Sequence, residues 1–221
     1  MTSVQFKRLV RVRVTTFLYL VNGIWAIPCV LFIRAISHWK VIRIGPILNT
    51  RIGHFVADGA EQLSRWRMKS DNSLDFYYLE SKQSANLHWE SMLKRCLPFP
   101  GRFIRFIDAW NKIIPGSEVH YRPTSESSSR DIHGYFAQEY GRIEFEKSEN
   151  QAGYDWLKSK GWTFGEPFVC ILVRDEEFLA THPITGDGSA RSRDIWSYHS
   201  HRNSKIETYL GSVRWLVEQD V

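Results

Sequence analysis

Between Val14 and Ile33 the chain is aliphatic and aromatic, interrupted only by Thr15, Thr16, Asn22, Gly23 and Pro28. A run of about 20 such residues just reaches the length that crosses a hydrocarbon layer. No other segment restricts the fold as strongly, because this one must enter a membrane, lie on one, or be buried in a core. Lys7, Arg8, Arg11 and Arg13 precede it, and Arg34, Lys40 and Arg43 follow. Basic flanks on both sides set no orientation by the positive-inside rule. With Pro28 in the middle, they fit a helix lying in or dipping into the interface at least as well as a spanning one. The third arrangement is a buried first helix of the domain. No small-x-small cleavage pattern follows before Arg34, which argues against a cleaved signal peptide. Residues 1–37 are therefore expected to form a basic, apolar, membrane-associating segment.

Charge is distributed to match. Residues 1–69 hold 11 Lys/Arg against Asp58 and Glu61, a net +9. Subtracting these from the totals of 29 and 24 leaves 18 basic and 22 acidic residues, a net −4, for positions 70–221. The basic excess behind the pI of about 9.1 thus belongs to the apolar end. It suits an anionic membrane surface and removes the case for nucleic acid. Cys29, Cys96 and Cys170 lack CxxC or His-flanked zinc spacing. Reduced, buried thiols in a reducing compartment are expected.

The remaining chain alternates strand and helix signals. Trp39–Ile44 reads as a strand ended by Gly45-Pro46. Phe55, Val56, Gly59, Leu63 and Trp66 share one helical face, with acidic residues early and Arg65, Arg67 and Lys69 at its end. Leu74–Leu79 is a second strand, and Asn86–Cys96 a helix stopped by Pro98. Gly101–Ile114 is a third apolar helix, Val119–Tyr121 a short strand, and the Ser-rich stretch 124–129 a loop capping a helix near Arg130. A further helix is expected over Ser148–Lys160. Phe168–Val173 is a continuous apolar run of the kind buried on both faces of a parallel sheet. The pattern predicts a layered α/β fold.

Ligands bind outside the carboxyl ends of parallel strands, and Arg174-Asp175 follows such a run. An arginine there grips a phosphate, unless the two residues simply close the strand as a surface pair. The long segment 176–203 contains Gly186, Gly188, Arg191, Arg193, His199, His201 and Arg202. Ser204 and Glu207 match a capping box, which would gather N–H groups near Arg202 and Asn203 as an anion site. His199 and His201 with His182 or Asp175 are a weaker metal reading, and a solvated loop without ligand is the other alternative. Arg51-Ile52-Gly53-His54 occupies a strand-to-helix turn. Spacing alone leaves open whether it is a binding loop or a helix start with His54 packed on Asp58, one turn on.

Arg51-Ile52-Gly53-His54, His120 with Arg130-Asp131, Val169-Cys170 with Val173-Arg174-Asp175, and Arg202-Asn203 with Ile206 and Tyr209 occur in this order. In that order and spacing, over roughly residues 20–221, the chain resembles a bacterial glycosyltransferase family. That family is distantly similar to the GDP-fucose-dependent O-fucosyltransferase superfamily and has a GT-B architecture of two facing Rossmann-like domains. The resemblance implies a Rossmann-like N-terminal domain at 38–165 and the start of a C-terminal nucleotide-sugar domain at 166–221. Arg174 matches an arginine that contacts donor phosphates, and Arg202 and Asn203 match the family's Arg-Asn element. Arg51, Gly53 and His54 match a first-domain turn facing the cleft near the acceptor.

Leu172 stands where the family usually has histidine, and the family continues past the equivalent of Gln219. The resemblance therefore implies a truncated form of a transferase that moves sugar from a nucleotide-sugar donor to a cell-surface glycan or related acceptor. It implies no metal, no cofactor besides the donor, and a site at the cytoplasmic face of the inner membrane. It identifies no catalytic base. The alternative is a membrane-docked, non-catalytic binding or scaffold protein.

Overall fold

A computed structural model describes residues 18–125, 131–135, 139–174, 181, 194 and 197–219. The chain forms two compact units divided between Glu144 and Phe145. The join expected at 165–166 therefore falls inside the second unit.

The first unit is a mixed α/β layer structure. Its order is α1 (Ala26–Ala35), β1 (Val41–Ile47), α2 (Ile52–Met68), β2 (Ser73–Leu79), α3 (Leu87–Cys96) and α4 (Ile104–Ile113). β1 and β2 pair in parallel, Val41 opposite Ser73 through Ile47 opposite Leu79, with α2 as the crossover between them. Alternate side chains point to opposite faces. Ile47, Tyr77 and Leu79 pack with Phe55 and Leu63 of α2 and with Leu93 and Leu97 at α3. Ile44, with Ile42, Phe76 and Tyr78, packs with Ala26, Val30 and Ile33 of α1 and with Ile104 and Ile107 of α4. Each fully buried aliphatic or aromatic side chain contributes about 1.5–3 kcal/mol.

The starts and stops have local causes. Asn86 caps α3, its side-chain oxygen accepting from the Trp89 N–H at 2.8 Å. α2 ends with Arg65 and Arg67 in its last turn, where cations favour the carbonyl end of the helix.

Several boundaries differ from expectation. β1 runs on through Gly45 and Pro46. In a parallel strand the N–H and C=O of one residue point to the same side, alternating along the chain. The Ile44 carbonyl accepts from Arg122 N–H at 2.9 Å, away from β2, whereas the Ile47 carbonyl accepts from Glu80 N–H on the β2 side. Pro46 is two residues from Ile44, so its nitrogen faces away from β2 and its missing N–H costs no ladder bond. Gly45 fits for another reason: a Cβ there would lie 2.3 Å from the Arg122 carbonyl oxygen. The short strand expected at 119–121 is instead a 3-10 turn, Glu118–His120, followed by a single parallel bridge between Ile44 and Tyr121.

The apolar front segment is docked into this unit. Tyr19 stacks on Phe106 with centroids 4.5 Å apart, and its hydroxyl accepts from Arg105 Nε at 2.9 Å. Arg34 donates to Asn111 Oδ1 at 2.7 Å and to the Ile114 carbonyl at 3.2 Å. Among the described residues no helix is long and apolar enough to cross a membrane.

The second unit contains α5 (Lys147–Ser159) and α6 (Leu210–Glu218). α5 opens on a reciprocal capping box in which Glu146 N–H donates to Glu149 Oε2 at 2.7 Å. The strand expected at Phe168–Val173 is absent, and Leu172 is 90% exposed. A strand needs a neighbour to accept its ladder bonds, and no strand is present among the described residues of this unit. The expected first βα unit of a second sheet is therefore not formed here. The aromatic residues of this region associate locally instead, with Trp162 against Tyr154, Phe164 and Phe168 at 5.9–6.1 Å. The helix expected near Arg130 lies partly outside the described residues. Within them, residues 131–135 form a turn in which Asp131 Oδ1 accepts from Tyr135 N–H at 2.7 Å.

Candidate functional site

The carboxyl ends of β1 and β2 feed two neighbouring loops, and buried Asn49 ties them together. Its side-chain N–H groups donate to the carbonyls of Ser81 at 3.1 Å and Gln83 at 3.2 Å. Its Oδ1 accepts from Ser81 N–H at 2.9 Å, and its own carbonyl accepts from Ala85 N–H at 2.8 Å. Asn49 thus fixes the platform from which Arg51-Ile52-Gly53-His54 enters α2.

Arg51 has extended backbone angles and makes no side-chain cap bond, and the first turn of α2 contains no acidic residue. The N-terminal N–H groups of this 17-residue helix carry its positive end dipole, with no acidic side chain in the first turn and Asp58 in the next. Among the described residues, a Cβ added at Gly53 would meet nothing within 4 Å, so the space beside that glycine is open. His54 Nδ1 lies 4.0 Å from Asp58 Oδ2, an ion-pair separation longer than a hydrogen bond. The His54 side chain is 41% exposed and that of Asp58 3%. Of the two readings left open by spacing, the structure shows the helix start: Ile52, Gly53 and His54 form the first turn of α2, with His54 one turn from Asp58 and partly exposed. This edge can receive an anionic group on helix N–H donors beside an imidazole and a guanidinium.

Arg174, Arg202 and Asn203 all lie in the second unit, and there the fold brings the two segments together. The Ser204 N–H donates to the Arg174 carbonyl at 2.9 Å, which sets the chain next to Asn203 against the end of the 168–173 run. The helix start expected at Ser204 is different. Arg202 ends a 3-10 segment, Ser197–Arg202, a second one spans Ile206–Tyr209, and α6 begins only at Leu210. Ser204 accepts from the Tyr209 hydroxyl at 3.3 Å rather than closing a box with Glu207. The N–H groups of a regular helix are thus not gathered at Arg202-Asn203, because the intervening residues tighten into 3-10 turns. Asp175, His182, Gly186, Gly188, Arg191, Arg193 and the His199 side chain lie outside the described residues. Among the described residues no group of three His, Cys, Asp or Glu side chains is placed to hold a metal. The cysteines are thiols, with Cys29 and Cys96 half-buried and Cys170 exposed rather than buried.

Sequence reasoning missed a cleft of about 590 Å³ at the opposite, amino edge of the sheet, lined by His38, Trp39, Arg43, Arg65, Tyr121 and Arg122 among others. Its walls carry both signs of charge, and its main cation is already engaged. Arg43 donates to Asp71 at 2.9 Å, to Ser73 at 2.5 Å and to both oxygens of Asp75. The signal in the sequence was Trp39 beside β1 and Asp71-Asn72-Ser73 before β2, but their meeting depends on strand register. Buried Gln62 shapes the same region, donating to the carbonyls of Pro123 and Thr124 at 2.9 Å each. Burial pushes the Tyr77 hydroxyl up to about 12, with the Asp75 carboxylate adding to it.

No protein-family model, curated protein or solved structure matches the chain.

Proposed function

We propose that this chain acts as a GT-B-like glycosyltransferase that uses a nucleotide-sugar donor and a cell-surface glycan or related acceptor. The observation that carries this reading is the open Arg51–His54 turn at the carboxyl edge of a parallel βαβ unit. Ligands of α/β folds lie at that edge, where helix dipoles and exposed N–H groups favour phosphate and polarised hydroxyls. In this reading Arg51, Gly53 and His54 line the acceptor side. Arg174 and Arg202 neutralise the departing nucleotide diphosphate, with Asn203 orienting it. Arg174 and Arg202 supply the positive charge on the donor side, and the work is done at the cytoplasmic face of the inner membrane.

The test is calorimetric titration of the full chain with GDP- and UDP-sugars, alongside Arg174→Ala and Arg51→Ala. Loss of a charge-assisted phosphate contact should weaken donor binding at least ~10-fold in Arg174→Ala, about 1.4 kcal/mol. Arg51→Ala should leave donor binding nearly unchanged and weaken acceptor transfer. Equal, weak binding by wild type and Arg174→Ala would sink the donor assignment.

A second reading, a membrane-docked, non-catalytic binding or scaffold protein, is favoured by the exposed 168–173 run and by the absence of buried residues among those described in the second unit. It predicts no saturable binding of any nucleotide sugar by a chain that remains folded.

A further inference from the structure

The helical segment 18–35 buries one side and exposes another, and the exposed side is as apolar as the buried one. Ala26, Val30 and Ile33 are buried against β1 and α4. At about 100° per residue, Pro28, Leu31, Phe32 and Ala35 fall on the opposite arc of α1. Leu31 and Phe32 are 55% and 62% exposed. The preceding helical turn repeats the same i, i+3, i+4, i+7 spacing at Leu18, Val21, Asn22 and Trp25, all exposed. Ile24, 61% exposed, joins them, and Asn22 is the only polar member of the whole outer face. Phe103 extends the patch, 48% exposed with its ring 6.4 Å from that of Trp25. A surface helix ordinarily turns polar residues outward. A contiguous apolar face of this kind marks a surface that another apolar phase covers.

Charge selects that phase. Residues 1–57 contain eight Lys/Arg and no Asp or Glu. A second copy of the chain joined through this face would bring two such cationic segments together, because a two-fold interface uses the same patch on both partners. Anionic lipid headgroups would neutralise them. Of the eight, Arg43 is held by Asp71 and Asp75, so the excess rests on the others. Asp108 is buried and paired with Lys112 at 2.7 Å, and Glu118 acts on Arg34, which is already turned inward to Asn111.

The attachment to the domain also decides how the helix meets the bilayer. Gly23 sits against Phe106, where a Cβ would lie 2.6 Å from the ring, and Trp110 Nε1 donates to the Leu20 carbonyl at 3.3 Å. The inner side of the segment is therefore held by the protein, and only its outer side is available to lipid.

We propose that this unit docks on an anionic membrane leaflet through the outer face of residues 18–35, lying in the interface with Leu18, Val21, Trp25, Leu31 and Phe32 at the acyl boundary. The docking does not depend on donor chemistry and holds under either functional reading.

The test is flotation of the full chain with vesicles of phosphatidylcholine alone and of equal parts phosphatidylcholine and phosphatidylglycerol. Wild type should partition onto the anionic vesicles, less so at high salt, and poorly onto neutral ones. Leu31→Glu with Phe32→Glu should lower that partitioning at least ~10-fold, and Val21→Glu should lower it in the same direction. Circular dichroism and melting should stay unchanged, since these side chains are exposed in the folded unit. If the Glu variants remain folded and still bind as wild type does, another segment is the anchor and the proposal is overturned. It is also overturned by equal partitioning onto neutral and anionic vesicles. Concentration-dependent self-association without lipid binding, abolished by the same substitutions, would assign the face to a second copy instead.

Discussion

Arg43 of β1 stands directly opposite Asp75 of β2, and its Nε donates to one oxygen of that carboxylate at 2.5 Å while Nη2 donates to the other at 3.1 Å. Asp75 is fully buried, and Lys69 Nζ lies 3.7 Å from its Oδ2. The pair replaces an apolar contact at the amino end of the sheet and pins the register of the two strands, since a slip of one residue would leave a buried charge unpaired. Arg43→Ala should therefore destabilise the unit by about 1–3 kcal/mol, because the buried carboxylate loses its bidentate partner and keeps the longer contact to Lys69. Combining Arg43→Met with Asp75→Leu should recover most of that loss. Urea denaturation of the single and double variants checks both statements.

Gly45→Ala should be costly for a different reason. The new methyl group would lie 2.3 Å from the Arg122 carbonyl oxygen and 2.7 Å from Arg122 Cβ, so the bridge between Ile44 and Tyr121 must open. Overpacking of this kind typically costs about 1–3 kcal/mol. The expected signature is a lowered urea midpoint with accelerated hydrogen exchange at the Arg122 amide.

Stability should fall at both ends of the pH scale. The Ser73 hydroxyl, with Arg43 adding to it, holds Asp71 below its ordinary value of 3.8. A depressed folded value contributes stability above 3.8, lost as pH falls through the lower, folded value. Tyr77 runs the other way: burial raises it from 10.0 to about 12. Its contribution is complete below pH 10.0 and is lost as pH rises through about 12, because the unfolded chain ionises first. Tyr78 is raised too, by burial and by Asp108, to which its hydroxyl donates at 2.7 Å. Melting temperatures across pH should show both limbs. Asp71→Asn should flatten the acid limb, and Tyr77→Phe should reduce the alkaline one.

Leu172→Lys should be nearly neutral. With Leu172 90% exposed, a lysine there stays in water and should shift stability by less than about 0.5 kcal/mol. In a strand buried on both faces the same change would instead place an unpaired charge in the core. Thermal melting of the full chain separates the two cases.

Much of the first unit was legible because its signals are local. The apolar spacing of Phe55, Leu63 and Trp66, the cap at Asn86 and the basic end of α2 each depend on neighbours within a turn or two, and β2 and α3 form within a residue or so of the expected limits. The Arg51–His54 turn was legible for the same reason. Its platform was not, because Asn49 draws its partners from Ser81, Gln83 and Ala85, more than thirty residues away.

What the chain determined alone is its periodicity, its caps and the segregation of positive charge to one end. Tertiary structure decided the rest, because the outcome depended on a partner. β1 continues through Gly45-Pro46 since Arg122 approaches closely on one side and Pro46 needs no bond there. Phe168–Val173 has strand composition but no neighbouring strand among the described residues, so its backbone joins no ladder. The apolar run near the front could be read as membrane or as core from composition, and packing divided it by face. Its inner side closes over Ile44 and Ile107, while its outer side keeps Leu31 and Phe32 in contact with solvent.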